Sequence, residues 1–276
     1  MNLNDDKLAS YLNQNEMQYI LNLLGARSLV GIDASLLMGA EPGVGRVSML
    51  SRELSQSGES GENDRIRGDL LHLLIPVLFP ERALVVVRNI PDKGPQTLVF
   101  LHRDKTTILH SMPQNDLHRL IELQTPVDGV NALTDWFPIA GYKASPVNTL
   151  IPALKLEKFK QYAETDQERS ALEALKSVEM TMEDKKLLFQ AFKGRTVSGS
   201  FALLNIEGDM VTSAESLVVI ADEETAWAIS RPDKNSRQDT YRLRRTGDDL
   251  PLVIRNMFDW LENGLPLLLN TDITSQ

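Results

Sequence analysis

The chain contains no cysteine among its 276 residues. This absence excludes disulfide bonds, thiolate nucleophiles and zinc or iron–sulfur sites built on cysteine, and it is typical of a reducing compartment. The first residues, Met1–Asp6, also lack the basic segment and the apolar stretch of a secretory signal. We therefore expect a cytoplasmic protein.

Long apolar runs and an excess of positive charge are missing as well. The longest apolar stretch, Leu70–Phe79, is interrupted by His72 and Pro76 and is far shorter than the roughly 20 residues that span a bilayer. The 29 lysines and arginines are outnumbered by 38 aspartates and glutamates, which gives a net charge of −9. Since nucleic-acid binding requires a basic face, the sequence predicts neither a membrane protein nor a nucleic-acid-binding one.

The residue patterns that would indicate catalysis or a bound cofactor are also absent. The four histidines, His72, His102, His110 and His118, lack acidic partners at the spacing of a zinc site and are predicted to be ordinary, partly exposed side chains. Gly43–Arg46 lacks the preceding strand and the Gly-Lys-Ser/Thr ending of a phosphate-binding loop, which favours a plain loop. No Gly-x-Ser-x-Gly motif occurs. The sequence therefore predicts no catalytic residues, no metal and no cofactor.

The hydrophobic share of 42% and the charged share of 24% are those of a globular chain. The apolar periodicity changes along the chain from helical to strand-like and back, which predicts an α+β fold. In the first half the predicted elements are a helix over 14–24, a helix over 65–79, an antiparallel β-meander over 83–110 and a helix over 115–123. Between the first two helices, 39–45 and the polar segment 55–63 are predicted to be loops.

The second half repeats this order, with helices over 150–193, a meander over 216–244 and a closing helix over 250–261. Ala83–Val87 matches Ser216–Ile220, and the pair Asp116-Leu117 matches Asp249-Leu250, each 133 residues later. The repetition predicts an internal duplication in which the halves 1–142 and 143–276 are related by an approximate twofold axis around a shared core.

Several segments resemble the EspG-type chaperones of type VII (ESX) secretion. Asn15–Gly25 is similar to the first helix of that family, which ends in Leu-Gly, and Leu78–Leu84 is similar to a helix that ends at a proline before a strand. Ile220–Arg231 resembles the late hairpin of the family, and Leu250–Trp260 resembles the helix after it. The resemblance implies a pseudo-symmetric α/β fold and the non-catalytic binding of helical secretion substrates in the cytosol. The polar segment Ser55–Asn63 departs from the family pattern.

We therefore expect a non-catalytic chaperone or adaptor that binds a helical protein partner. Two alternatives stay open, a structural or scaffolding module and, less favoured, a small-molecule enzyme. Charged and polar residues in two predicted hairpin loops could contact the partner, because loop tips expose backbone amides and long side chains. These residues are Asp92, Lys93, Gln96, Asp233, Lys234 and Arg237. The resemblance implies that the first loop lies near the tip of the helical substrate.

Overall fold

The structure, a computed structural model, describes residues 9–58, 64–114, 116–137, 147–231, 239–247 and 249–264. A ten-stranded antiparallel sheet runs through these residues and is covered by helices, which confirms the predicted α+β class. No helix among them is long and apolar enough to cross a membrane.

The first half contributes five strands to the large sheet, a small two-stranded sheet and four α-helices. In chain order these are β1 (Ala9–Asn13), α1 (Gln14–Leu24), α2 (Pro42–Ser51), β2 (Ser55–Gln56), β3 (Arg65–Ile66), α3 (Gly68–Leu78), β4 (Arg82–Ile90), β5 (Gly94–Arg103), β6 (Thr106–Gln114), β7 (Leu117–Leu123) and α4 (Pro126–Trp136). Asn13 and Glu16 form a reciprocal capping box at the start of α1, and Gly25 ends this helix in the left-handed conformation.

The second half contributes the other five strands of the large sheet and four further helices. These are β8 (Asn148–Pro152), α5 (Ala153–Glu164), α6 (Glu168–Ala174), α7 (Met182–Lys193), β9 (Val197–Glu207), β10 (Met210–Ala221), β11 (Ala226–Ser230), β12 (Thr240–Thr246) and α8 (Leu250–Asn263). The predicted meanders and the closing helix are therefore present, with longer strands than the sequence indicated.

In the large sheet the five strands of the first half and the five strands of the second half are arranged symmetrically about the centre. The order is β1-β7-β6-β5-β4-β9-β10-β11-β12-β8, so β4 and β9 pair at the centre and β1 and β8 form the edges. This is the arrangement that a duplication would produce. The duplication itself stays a prediction, which superposition of the two halves would test, and the predicted boundary at 142/143 lies outside the described residues.

Alternate side chains of each strand point to opposite faces of the sheet. Different helices cover the two faces. On one face Leu84 and Phe201 pack with α4 and α8 over the centre of the sheet. On the other face Ala83 packs with α1, α2 and α3, while Trp227 packs with α5, α6 and α7. We call these two groups the first and second helix bundles; they lie on the same face at opposite ends of the sheet.

Two predicted elements are wrong in type, and three others are wrong at their start, since Ser55–Gln56, Arg65–Ile66 and the beginning of the predicted helices at 150–152 belong to strands β2, β3 and β8. Residues 117–123 form strand β7 and not a helix, since the segment also alternates and pairs with β1 and β6. Residues 42–45 begin helix α2 and are not a loop, with Pro42 at the first helical turn. Gly45 is required there because a Cβ would lie 2.0 Å from the carbonyl oxygen of Asn15 in α1.

The predicted alignment of the two halves disagrees with the order of strands in the sheet. It matched Ala83–Val87 with Ser216–Ile220, which lie in β4 and β10. In the symmetric strand order, however, the strand of the second half that is equivalent to β4 is β9. A better match joins α4 to α8. Both helices carry proline in the first turn and an Asp-Trp pair near the end, Asp135-Trp136 and Asp259-Trp260.

Candidate functional site

The first predicted contact loop is a tight turn between β4 and β5. The Lys93 amide donates to the Ile90 carbonyl at 3.2 Å, and Asp92 has a φ of 66°. Asp92 and Lys93 are exposed at the tip, as predicted from their position between two strands. The turn thus presents one acidic and one basic side chain at its tip.

Gln96, the third residue predicted in this loop, belongs to β5 and is engaged within the protein. Its side-chain oxygen accepts a hydrogen bond from Arg88, which also donates to the Trp136 carbonyl at the end of α4. The Arg88 guanidinium stacks on the Trp136 ring at 4.3 Å from its centroid, and burial lowers the pKa of Arg88. Gln96 therefore supports the hairpin and does not extend its charged tip.

The second predicted loop carries Asp233, Lys234 and Arg237, which lie outside the described residues. The strand pairing shows where the chain enters this loop. β11 begins at Ala226, at the end of the sheet that carries the β4–β5 turn. It ends at Ser230, which pairs with Leu217 and lies towards the opposite end of the sheet. The structure thus does not bring the flanks of the second loop to the tip formed by Asp92 and Lys93.

Three of the four histidines are buried, so the prediction of partly exposed side chains holds for His72 and is wrong for the others. His102 faces Thr107 across β5 and β6, and their side chains hydrogen-bond at 3.0 Å. His110 and His118 form a stacked pair with 3.0 Å between Nε2 and Nδ1. Burial lowers the pKa of His110 to about 3 and that of His118 to about 4, so both rings are neutral at pH 7.

A second buried polar cluster joins the first helix bundle to the segment before β3. The Tyr19 hydroxyl donates to Asp64 at 2.5 Å, and Arg46 donates to the same carboxylate at 2.6 Å. Hydrogen bonds from Arg46 and Tyr19 lower the pKa of Asp64 to about 2, while burial and the bond to Asp64 raise the pKa of Tyr19 to about 12. All three groups satisfy one another, which is the pattern of a structural anchor.

Neither cluster has the composition of a metal centre. Within the described residues no group of three or more histidine, aspartate or glutamate side chains is arranged to hold a metal ion. A surface made from the sheet itself is the stronger candidate site.

On the face of the sheet that carries the two bundles, no helix among the described residues packs over the area between them. We call this area the central strip. It consists of Val87 on β4, Ser198, Ser200 and Ala202 on β9, and Ala214, Ser216 and Val218 on β10. Register places Val87 beside Ser200 and Ser200 beside Val218, with Ala202 beside Ser216 in the next row. These side chains are half-buried or exposed, and Val218 is 37% exposed.

The width and the chemistry of the central strip suit one helix. Three adjacent strands span about 10 Å between the outer two, close to the diameter of an α-helix. Serine and alanine side chains keep the floor shallow, so a docked helix could approach the sheet closely. On the side of the first bundle the strip is bounded at Gly31, where a Cβ would lie 2.9 Å from Val99.

Sequence reasoning missed the central strip, although one pattern pointed to it. In β9 the small residues Ser198, Ser200 and Ala202 alternate with Val197, Gly199 and Phe201, which are buried. Leu204 and Ile206 continue the same face and pack in the first bundle, so only the first part of this face of β9 lacks the large residues that would pack under a helix of its own chain.

The chain matches no known family profile and no curated protein. Its fold is similar to that of a solved structure, the Mycobacterium tuberculosis type VII secretion system chaperone EspG5 in complex with the PE25–PPE41 dimer. The two share 12% sequence identity with a TM-score of 0.67, and the match covers 94% of this chain and 97% of the other. The resemblance to EspG-type chaperones predicted from the sequence is therefore confirmed at the level of the fold.

Proposed function

We propose that this protein is a non-catalytic cytoplasmic chaperone or adaptor that binds a helical protein partner of the type VII secretion kind. The observation that carries the proposal is the fold similarity to EspG5, which extends over nearly the whole of both chains. The solved relative is bound to a PE25–PPE41 dimer, and this chain shares its overall architecture.

The central strip supports the same proposal from this chain's own residues. Its floor combines exposed Val218 with small serine and alanine side chains over three strands, and the helix bundles rise on either side. A partner helix with small and apolar residues on one face would fit between the bundles. The β4–β5 tip with Asp92 and Lys93 lies beyond one end of the strip and could contact the same partner.

Co-expression tests the proposal. The protein is produced together with candidate helical proteins from its own genome, and the mixture is analysed by size-exclusion chromatography with light scattering. The proposal predicts a stoichiometric complex, because a chaperone that holds a folded helical substrate forms a defined assembly. An elution of all components as separate species contradicts it.

A matched pair of variants links the complex to the strip. Val218→Asp places a charge in the floor of the strip and is expected to weaken the complex at least tenfold, because the carboxylate would be buried without a partner. Leu154→Asp changes a more exposed apolar residue, 78% exposed on α5, away from the strip and should leave the complex intact. Equal effects of both variants would remove the strip from the interface.

A further inference from the structure

The ends of strands β4 and β5, with the turn that carries Asp92 and Lys93, project beyond the neighbouring strands. Among the described residues, β9 pairs with β4 only as far as Asn89, and β6 pairs with β5 only from Leu98 onwards. We call residues 88–96 the outer hairpin. Since two strands alone are marginally stable in water, the orientation of the outer hairpin depends on the side chains that support it.

Arg88 joins both strands of the outer hairpin to the end of helix α4. Its guanidinium donates to the side-chain oxygen of Gln96, which lies opposite it on β5, and to the carbonyl oxygen of Trp136. The same group stacks on the Trp136 ring at 4.3 Å from the ring centroid. Ile90 packs against the same core cluster as Trp136. One side chain therefore ties the hairpin to the helix by hydrogen bonds and by a cation–π contact.

The end of α4 is a firm support because it is anchored in the core. Phe137, the residue after Trp136, is buried and packs edge-on against Phe201 of β9, with 5.4 Å between the ring centroids. Gly199 makes room for this ring, since a Cβ there would lie 2.4 Å from Phe137. The outer hairpin is thus linked through Arg88 and α4 to the centre of the sheet.

We propose that Arg88 is a positioning residue for partner binding, which holds the outer hairpin against α4 so that Asp92 and Lys93 are presented in one orientation before the partner arrives. This inference rests on the proposed function and on contact of the β4–β5 tip with the partner. A turn that is already ordered loses less conformational entropy on binding, so preorganisation raises affinity without adding a contact.

Arg88 acts without touching a helix on the central strip. Val87 belongs to the strip, and Arg88, the next residue of β4, points to the opposite face of the sheet, where it reaches α4. A loss of affinity on substitution of Arg88 is therefore expected to come from the outer hairpin and not from the floor of the strip.

The first measurement is the backbone order of the free, full-length protein by NMR relaxation. The amides of Asp92 and Lys93 are expected to have order parameters of about 0.8, as in rigid backbone, and to fall below about 0.6 in Arg88→Gln. Arg82→Gln is the matched control, because Arg82 donates to the end of α8 from the other end of the same strand, and it should leave the tip ordered. A tip that is disordered in the unsubstituted protein, or equally ordered in Arg88→Gln, would overturn the proposal.

The second measurement is the affinity for the helical partner, by titration calorimetry. Arg88→Gln is expected to weaken binding by at least about fivefold, whereas Arg82→Gln should leave it within about twofold. Both variants remove an arginine that caps a helix, so a merely structural role would give both the same effect. That result would overturn the proposal.

A double-variant cycle shows whether Arg88 acts through the tip. In the background Asp92→Lys/Lys93→Asp the tip contacts are already lost, so the addition of Arg88→Gln should weaken binding little further. Additive losses would mean that Arg88 acts elsewhere and would contradict the proposal. Charge reversal without any effect would place the tip outside the interface and contradict it as well.

A second variant removes the other side of the contact. Trp136→Leu deletes the ring under the guanidinium and keeps an apolar side chain at this half-buried position. It should lower the order of the tip and the affinity in the same way as Arg88→Gln. An ordered tip and full affinity in Trp136→Leu would contradict a support built on this ring.

Failure of this inference can be told apart from failure of the proposed function. If a stoichiometric complex forms and Val218→Asp disrupts it while Arg88→Gln binds normally, the positioning role is wrong and the proposed function stands. If no helical partner forms a complex, the proposed function is contradicted and the positioning role falls with it.

Discussion

Arg82 and Arg88 lie at the two ends of strand β4, and each one caps the C-terminal end of a different helix. Arg82 Nε and Nη2 donate to the carbonyls of Leu261 and Glu262 in α8, at 2.6 and 2.8 Å. Arg88 donates to the carbonyl of Trp136 in α4. Since cations stabilise the negative ends of helices, one central strand fixes both helices that cover its face.

Arg82→Gln should therefore destabilise the protein. The variant loses a charge and two charge-assisted hydrogen bonds, and the expected loss is about 1–3 kcal/mol in the free energy of unfolding, measured by urea denaturation. Arg255→Gln on the exposed face of α8 is the control and should change stability by less than about 0.5 kcal/mol. Equal stability of both variants would show that the cap contributes nothing.

Two glycines in helix α2 should respond oppositely to alanine. A Cβ at Gly45 would lie 2.0 Å from the Asn15 carbonyl oxygen, so Gly45→Ala should separate α1 from α2 and cost at least about 2 kcal/mol. A Cβ at Gly43 would meet no atom within 4 Å, so Gly43→Ala should be neutral or stabilise the helix by up to about 1 kcal/mol. Thermal unfolding of the two variants distinguishes these outcomes, and a tolerated Gly45→Ala contradicts the close approach.

The buried pair His110 and His118 should make the protein less stable in mild acid. Burial lowers the pKa of His110 to about 3 and that of His118 to about 4, while the unfolded chain takes up protons near the ordinary histidine pKa of about 6.5. Below that pH the unfolded state binds more protons than the folded state. Stability is then lost as the pH falls from about 6.5 towards 4, by up to about 1.4 kcal/mol per pH unit for each histidine.

Urea denaturation between pH 7 and pH 5 measures this effect. The double variant His110→Leu/His118→Leu should show a shallower pH dependence than the unsubstituted protein. The hydrogen-bonded Asp64 does not contribute in this range, because its lowered pKa of about 2 affects stability only below the ordinary aspartate pKa. An unchanged slope in the double variant contradicts the assignment.

The sequence was sufficient to predict those elements whose residue pattern is compatible with only one type of secondary structure. Gln14–Leu24 begins at an asparagine cap and ends at Gly25, and both meanders carry β-branched runs separated by turn residues. Leu117–Leu123 was ambiguous, because Leu117, Leu120 and Ile121 fit a helical face while Leu117, Arg119, Ile121 and Leu123 fit one side of a strand. Its two partner strands decided the outcome, and one of them lies about a hundred residues earlier in the sequence.

The candidate site was harder to predict than the fold. The tip residues Asp92 and Lys93 follow from a local turn, but the central strip exists only because β4 pairs with β9 from the other half. Such pairing between distant segments leaves no local pattern. The same reason explains the buried histidines, since burial of His110 and His118 depends on the helix bundle above them and not on the composition of their own strands.

Charge reversal at the β4–β5 tip tests whether this turn contacts the partner. The double variant Asp92→Lys/Lys93→Asp should weaken partner capture, because it inverts the charge pattern of the tip, and it should leave the free energy of unfolding within about 1 kcal/mol because both residues are exposed. Capture is compared in a pull-down with purified partner. Unchanged capture would exclude the turn from the interface, and loss of folding would assign it a structural role.

The absence of cysteine permits the most direct test of the central claim, that a helical partner docks on the central strip. A single cysteine introduced as Val218→Cys is the only thiol of the chain and can carry a short photo-crosslinker. On illumination of the complex, the account predicts a covalent product between position 218 and the helical partner, and none from the control Leu154→Cys on α5. Cross-linking from position 154 but not from position 218 would contradict it.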